Sequence, residues 1–186
     1  MKKIITIEVI LTDAPTLFKE GLFNEEERNE ILKKYLFHKY AFSQWKKYYL
    51  TRHYGSLIKD LEKLSEINRS KTFLEVGCGT GSTTIYLAKK DSISHSVGID
   101  IDSLRLKIAK KRADWYKAER CELIEKNFLH IKLSQTFDTI YSMAAFELIQ
   151  PRKEALNIIA SLTAKNGQIG TSPNSVSGCL LVRLTT

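Results

Sequence analysis

Cysteine is scarce in this 186-residue sequence: Cys78, Cys121 and Cys179 stand far apart, with no CxxC pair among them. An odd, scattered set of thiols forms neither a disulfide framework nor a zinc site, and it implies a reduced, cytoplasmic protein with no bound metal. Long apolar runs are also missing. None approaches the ~18 residues of a membrane span, so no transmembrane segment is expected. Met1-Lys2-Lys3 ahead of the apolar Ile4 to Leu11 resembles the start of a secretory leader. Glu8 interrupts that run and no small-residue cleavage site follows, so a strand is the better reading. Internal repeats and low-complexity linkers are absent, which leaves one domain's worth of chain, long enough to bury a real core.

What is present is the composition of a soluble globular protein, with 43% hydrophobic and 27% charged residues. The formal charge of +8 points to anionic partners or substrates, or simply to a lysine-rich solvated surface. Asp13-Ala14-Pro15 reads as a turn after the first strand. Asn24 with Glu27 is a capping box, so a helix starts there and runs through Ile31, Tyr35 and Phe42 toward Gly55. A second helix, capped by Ser56, carries Leu57, Leu61, Leu64 and Ile67 as an apolar stripe.

From residue 72 onward, strands alternate with helices. Phe73 to Val76 is a strand, Ser82 to about Lys90 a helix, and His95 to Ile101 a strand, which together make a βαβ unit. Ser103 can cap the next helix, with Leu104, Ile108 and Trp115 inward and Arg105, Lys107, Lys110, Lys111 and Arg112 outward. Cys121 to Ile124 and Phe137 to Ser142 are further strands. Arg152 to Ala164 is a helix stopped by Gly167, and Gln168 to Thr171 is a fifth strand. The pattern predicts an α/β fold: a doubly wound, mostly parallel sheet with helices on both faces.

The chain is organised around Phe73-Leu74-Glu75-Val76-Gly77-Cys78-Gly79-Thr80-Gly81-Ser82. Glycines between a strand and a helix start let bare backbone approach a ligand, which is how nucleotides are cradled. A dinucleotide fingerprint needs a third glycine where Ser82 stands; here it comes early, at Gly81, so GxGxG fits and GxGxxG fails. Glu75 would place a negative group near a cofactor carrying positive charge rather than near a pyrophosphate. Asp100, 21 residues after Gly79 at the end of the second strand, can accept hydrogen bonds from both hydroxyls of an adenosine ribose.

Glu75-x-Gly77-x-Gly79-x-Gly81 resembles the first motif of the class I S-adenosylmethionine-dependent methyltransferases, and Asp100 stands as the second. The resemblance covers about residues 72 to 174 and implies a Rossmann-like core that binds S-adenosyl-L-methionine. It assigns Ile101 to the adenine ring and Asn127 to the adenine amino group, where the family commonly has an acidic residue. Phe128 would stack on adenine or fill the core, and Ser142 closes the family's fourth strand. Glu147-Leu148 stands where many small-molecule methyltransferases have Glu-His.

The motifs of amino methyltransferases, cytosine-C5 enzymes and arginine methyltransferases are all missing, which moves a small-molecule acceptor up. The sulfonium methyl is already reactive, so holding the acceptor in line behind it is the main task. A base, if one is needed, comes from His38, His53, His130, Glu147 or Tyr141, which the sequence does not rank, and no catalytic residue is named.

Residues 1–70 are read as a helical extension or lid of the same domain, and 71–186 as the core. Ile31 to Lys59 has no acidic residue but seven Lys or Arg interleaved with aromatics, which fits a lid, an RNA-binding or anionic-surface patch, or an ordinary amphipathic helix. The chain ends about 15 residues after the fifth strand, whereas the family continues into closing strands. The fifth strand is therefore expected to lie at an edge, covered by Ile4 to Leu11 or by a second copy in a homodimer, or left bare in a C-terminally shortened member of the family. Alternatives to the enzyme are a noncatalytic S-adenosylmethionine-binding module and an RNA methyltransferase or RNA-binding protein.

Overall fold

A computed structural model describes residues 14–35, 70–143, 145–172 and 180–183. The Ile4 to Leu11 strand, the helix capped by Ser56 and nearly all of the basic aromatic region lie outside these residues. The chain divides into two compact units, Met1–Lys59 and Asp60–Thr186.

In the first unit, α1 (Ala14–Lys19) replaces the turn expected at Asp13-Ala14-Pro15. Proline is tolerated in a first helical turn, because the N–H it lacks would have no intrahelical acceptor there. The helix ends at Gly21, whose φ is 73°. The capping box then starts α2 (Glu25–Tyr35) as read: Glu27 N–H donates to Asn24 Oδ1 at 2.8 Å and Asn24 N–H to Glu27 Oε2 at 3.0 Å. Among the described residues of this unit, Leu17, Phe23 and Ile31 are buried.

The second unit is built on a six-stranded sheet of order β3-β2-β1-β4-β5-β6. Its strands are β1 (Thr72–Val76), β2 (His95–Asp100), β3 (Cys121–Glu125), β4 (Phe137–Met143), β5 (Thr163–Ser172) and β6 (Leu180–Arg183). The helices are α3 (Ser82–Ala88), α4 (Ser103–Tyr116) and α5 (Arg152–Leu162). β1 to β5 pair in parallel, as the strand and helix alternation predicts.

β6 corrects the expectation of an exposed fifth strand. Leu180 to Arg183 pairs antiparallel with Thr171 to Gln168, so the chain's own apolar tail takes the hydrogen-bonding side that Ile4 to Leu11 or a second copy was expected to cover. Near its start β5 departs from simple pairing. Phe137 pairs with Thr163 but Thr139 with Gln168, and the extra residues, including Asn166 at φ 60°, bulge out. Gly167 therefore lies within the strand rather than ending α5, which stops at Leu162.

Period-2 alternation sorts the strands onto two faces. Leu74, Val76, Val97, Ile99 and Ile140 pack with Ala155, Ile159 and Leu162 of α5. Phe73 and Tyr141 pack on the other side with Leu87 and Ile93, at α3 and just beyond it. At the N-terminal rim, the Asp138 carboxylate accepts the N–H groups of Lys71 and Thr72 at 2.8 and 2.9 Å. That contact sets β4 against β1, leaving the opposite rim, where the glycine turn lies, for function.

Candidate functional site

As β1 ends, the Gly77 and Cys78 N–H groups both donate to Ile99 O, at 2.8 and 3.0 Å. The turn is thereby drawn across the end of β2. Gly77, Gly79 and Gly81 all have positive φ, at 76°, 54° and 76°, the left-handed region where an L side chain is strained. Gly81 is the N-cap of α3, and a Cβ there would stand 2.9 Å from Ala109 Cβ and 3.2 Å from Ile85 Cδ1. Gly79 is the opposite case. Among the described residues, a Cβ there would meet only Arg105 Cδ, at 3.9 Å, which leaves the turn's backbone room on that side for an incoming group.

Asp100 meets this open segment. Its Oδ2 accepts the Gly79 N–H at 2.7 Å, and its Oδ1 accepts the Asp102 N–H at 2.8 Å. Each carboxylate oxygen has a second acceptor site, so the pair of oxygens can still take two hydroxyl donors. Ile101, the next residue, is 70% exposed, an apolar face bare enough for a flat ring. Asp102 then caps α4 through the Leu104 and Arg105 N–H groups. It holds the place expected of Ser103, which becomes the helix's first residue.

Glu75 sits deeper. It is 2% exposed, and its Oε2 accepts the Thr84 N–H at 3.0 Å and the Thr84 hydroxyl. Burial raises its pKa from 4.5 to about 7, against the opposing pull of the Thr84 hydrogen bonds. The carboxylate thus pins β1 to the first turn of α3 from beneath the glycines. Gly98 makes room for this packing, since a Cβ there would come within 2.8 Å of Thr84 Oγ1 and 2.9 Å of Cys78 Sγ. Burial also pushes the Cys78 thiol up, and the Cys121 thiol up to about 12. Both are free.

The remaining predicted residues are spread more widely. Asn127 caps a short 3-10 turn, Phe128–His130, its Oδ1 accepting the Leu129 N–H at 3.0 Å; one acceptor site on that oxygen is thus already used. Phe128 is buried in the core with Val97 and Ile99, so of its two expected roles the structure places it as core filler. The Ser142 hydroxyl is buried and donates to Val76 O at 2.8 Å, steadying the end of β1. Among the base candidates, Tyr141 is fully buried, while His130 and Glu147 are exposed. His38 and His53 lie outside the described residues. Among those residues, no cluster of His, Cys, Asp or Glu could hold a metal, and no helix is long and apolar enough to cross a membrane.

Arg112 was read as outward and is instead 2% exposed. Its Nη1 donates to Thr80 O and to Ser82 Oγ in the glycine turn. A signal for this was available: Leu104, Ile108 and Arg112 recur every four residues, on the stripe that faces the core.

The similarities to known proteins fall on the same part of the chain. The methyltransferase domain family matches residues 67–177. A malonyl-[acyl-carrier protein] O-methyltransferase of Bacillus anthracis is 31% identical over 102 residues, covering 54% of this chain and 36% of that protein. A carboxy-S-adenosyl-L-methionine synthase of Yersinia pseudotuberculosis is 26% identical over 117 residues, covering 59% and 48%. The chain therefore spans less than half the length of these curated relatives. The YcgJ protein of Bacillus subtilis shares the fold, with a TM-score of 0.58 at 18% identity over 64% of this chain and 50% of that one. With the sheet order, the glycine turn and the family match in agreement, this chain belongs to the class I S-adenosylmethionine-dependent methyltransferase family.

Proposed function

We propose that this protein binds S-adenosyl-L-methionine at the C-terminal rim of β1 and β2 and transfers its methyl group to a small molecule. The observation that carries the reading is the 2.7 Å hydrogen bond from Gly79 N–H to Asp100 Oδ2. It brings the glycine turn and the ribose-type carboxylate into one site with acceptor capacity to spare. The residues fit the donor: Asp100 for the ribose hydroxyls, exposed Ile101 for the base, and the open side of Gly79 for close backbone approach. When bound, the donor supplies an electrophilic methyl on a sulfonium.

The chain's own residues hold the donor's position, so that an acceptor atom can lie in line. Past β4, Glu147 and Leu148 are exposed on the side left for an acceptor, and Glu147 is the carboxylate available there to take a proton. A small-molecule acceptor is supported by similarity to a malonyl-[acyl-carrier protein] O-methyltransferase and a carboxy-S-adenosyl-L-methionine synthase. The free thiols of Cys78 and Cys121 support a reducing, cytoplasmic setting.

Calorimetry with S-adenosylhomocysteine on the wild type and on Asp100→Ala tests the site. Binding by the wild type and loss in the variant is the expected result. No binding by the wild type overturns the proposal, and equal binding by both overturns the ribose assignment. Label transfer from S-adenosylmethionine to a small-molecule extract fraction then separates an enzyme from a noncatalytic binding module. Transfer to RNA alone would replace the small-molecule reading.

A further inference from the structure

We propose that Arg112 is a positioning residue for the methyl donor, acting through residues 80–82 of the glycine turn. The inference rests on the reading of that turn as the donor's cradle. Arg112 lies on α4, buried to 2% exposure. Its Nη1 donates to Thr80 O at 2.5 Å, to Ser82 Oγ at 3.0 Å and to Thr80 Oγ1 at 3.3 Å. All three acceptors belong to the short connection between Gly79 and the start of α3. The same helix supplies Ala109, whose side chain limits the space at Gly81.

The turn is thus held from two directions. Asp100 fixes Gly79 from the end of β2, and Arg112 with Ala109 fixes Thr80 to Ser82 from α4. A connection with three positive-φ glycines has much backbone freedom to lose. Binding a ligand on such a backbone costs whatever ordering has not been done beforehand, and contacts that impose the bound shape in advance lower that cost.

A buried guanidinium is an expensive way to fill space. An apolar side chain of similar volume would pack with no charge to desolvate. What the guanidinium adds is directed hydrogen bonding to a backbone carbonyl and two hydroxyls at once, on the segment whose shape matters. Lysine carries the charge on a stem of different length and shape, which does not place its ammonium where Nη1 of Arg112 stands, and so reproduces this only in part.

The test is S-adenosylhomocysteine calorimetry on the full chain, comparing wild type with Arg112→Met, Arg112→Lys and Arg112→Ala, with the thermal midpoint of each measured alongside. Arg112→Met is expected to bind at least about tenfold more weakly, as befits loss of hydrogen bonds to a charged group, and Arg112→Lys to fall between it and wild type. Millimolar guanidinium, too dilute to denature, restores part of the affinity of Arg112→Ala; a merely structural role predicts that affinity only follows the thermal midpoint across the variants. In methyl transfer the KM for the donor rises while kcat changes less than about twofold, because the contact acts alike in ground and transition states.

If Arg112→Met does not fold, Thr80→Val and Ser82→Ala carry the test by removing the two hydroxyl acceptors while the Thr80 carbonyl stays, and each is expected to weaken binding. A folded Arg112→Met with wild-type affinity overturns the role of Arg112 alone. Failure of the wild type to bind overturns the donor site itself, so the two failures are distinguishable.

Discussion

At the C-terminal rim of the sheet, the β1–β2 side is fastened at every step. Ile99 O takes two N–H groups of the turn, Asp100 takes a third, Glu75 holds Thr84, and Arg112 holds Thr80 and Ser82. Past β4 the build is different. Once Ser142 has bonded to Val76 O, the chain runs through a three-residue 3-10 turn with no side-chain cap, and Leu148 is left 78% exposed. Among the described residues, one half of the rim is held by side-chain hydrogen bonds at several points, and the other presents an exposed apolar side chain. This division suits a protein whose donor is common to its family and whose acceptor is its own: function varies where loops are least constrained.

The largest break in the fastened half should come from Gly81→Val. A β-branched side chain at φ 76°, against Ala109 and Ile85, combines backbone strain with overpacking. Chemical denaturation should show a loss of about 3 to 4 kcal/mol, together with loss of S-adenosylhomocysteine binding.

Glu75 gives the next largest effect, and its sign is fixed by the raised pKa. The folded protein keeps this carboxyl protonated up to about pH 7, against 4.5 for the ordinary group. Its contribution is therefore fully present below pH 4.5, declines as pH rises toward 7 and is gone above. The span corresponds to on the order of 3 kcal/mol. Unfolding curves of Glu75→Gln across that window should lack this decline; a decline as steep as that of the wild type would show that another group causes it.

Asp100→Ala should cost roughly 2 kcal/mol of S-adenosylhomocysteine affinity, the scale of hydrogen bonds to a charged acceptor, read by calorimetry. The smallest effect is expected in the open half. Leu148→Ala should leave the stability within about 0.5 kcal/mol and donor binding unchanged, while altering the KM for the acceptor. Weakened donor binding in this variant would mean that the two halves are not separate.

The features legible in advance are those whose cause is local. The capping box at Asn24 and Glu27 closes within four residues, and the glycine spacing from Gly77 to Gly81 states a backbone conformation directly. Asp100 could be matched to the turn because a βαβ unit brings consecutive parallel strands side by side. Arg112 was misplaced for the converse reason. Its place in the four-residue spacing with Leu104 and Ile108 marks the face it lies on, but the acceptors that face meets, Thr80 and Ser82, lie 30 or more residues earlier. Glu75 is legible as an acidic residue beside the glycine turn, but its orientation under α3 depends on Thr84 nine residues later, and the rise of its pKa on its burial there.

The strand order offers the same contrast at larger scale. Alternation of apolar runs with capped helices is a property of the sequence, because hydrophobic period and turn chemistry are carried by neighbouring residues. It determined the doubly wound class, the place of the glycine turn and the carboxylate across from it. What covers β5, whether Phe128 meets a ligand or the core, and which hydroxyls Arg112 holds were decided only by tertiary structure. Each depends on residues far apart in sequence competing for one hydrogen-bonding edge, one cavity or one buried charge, and that competition is settled by packing.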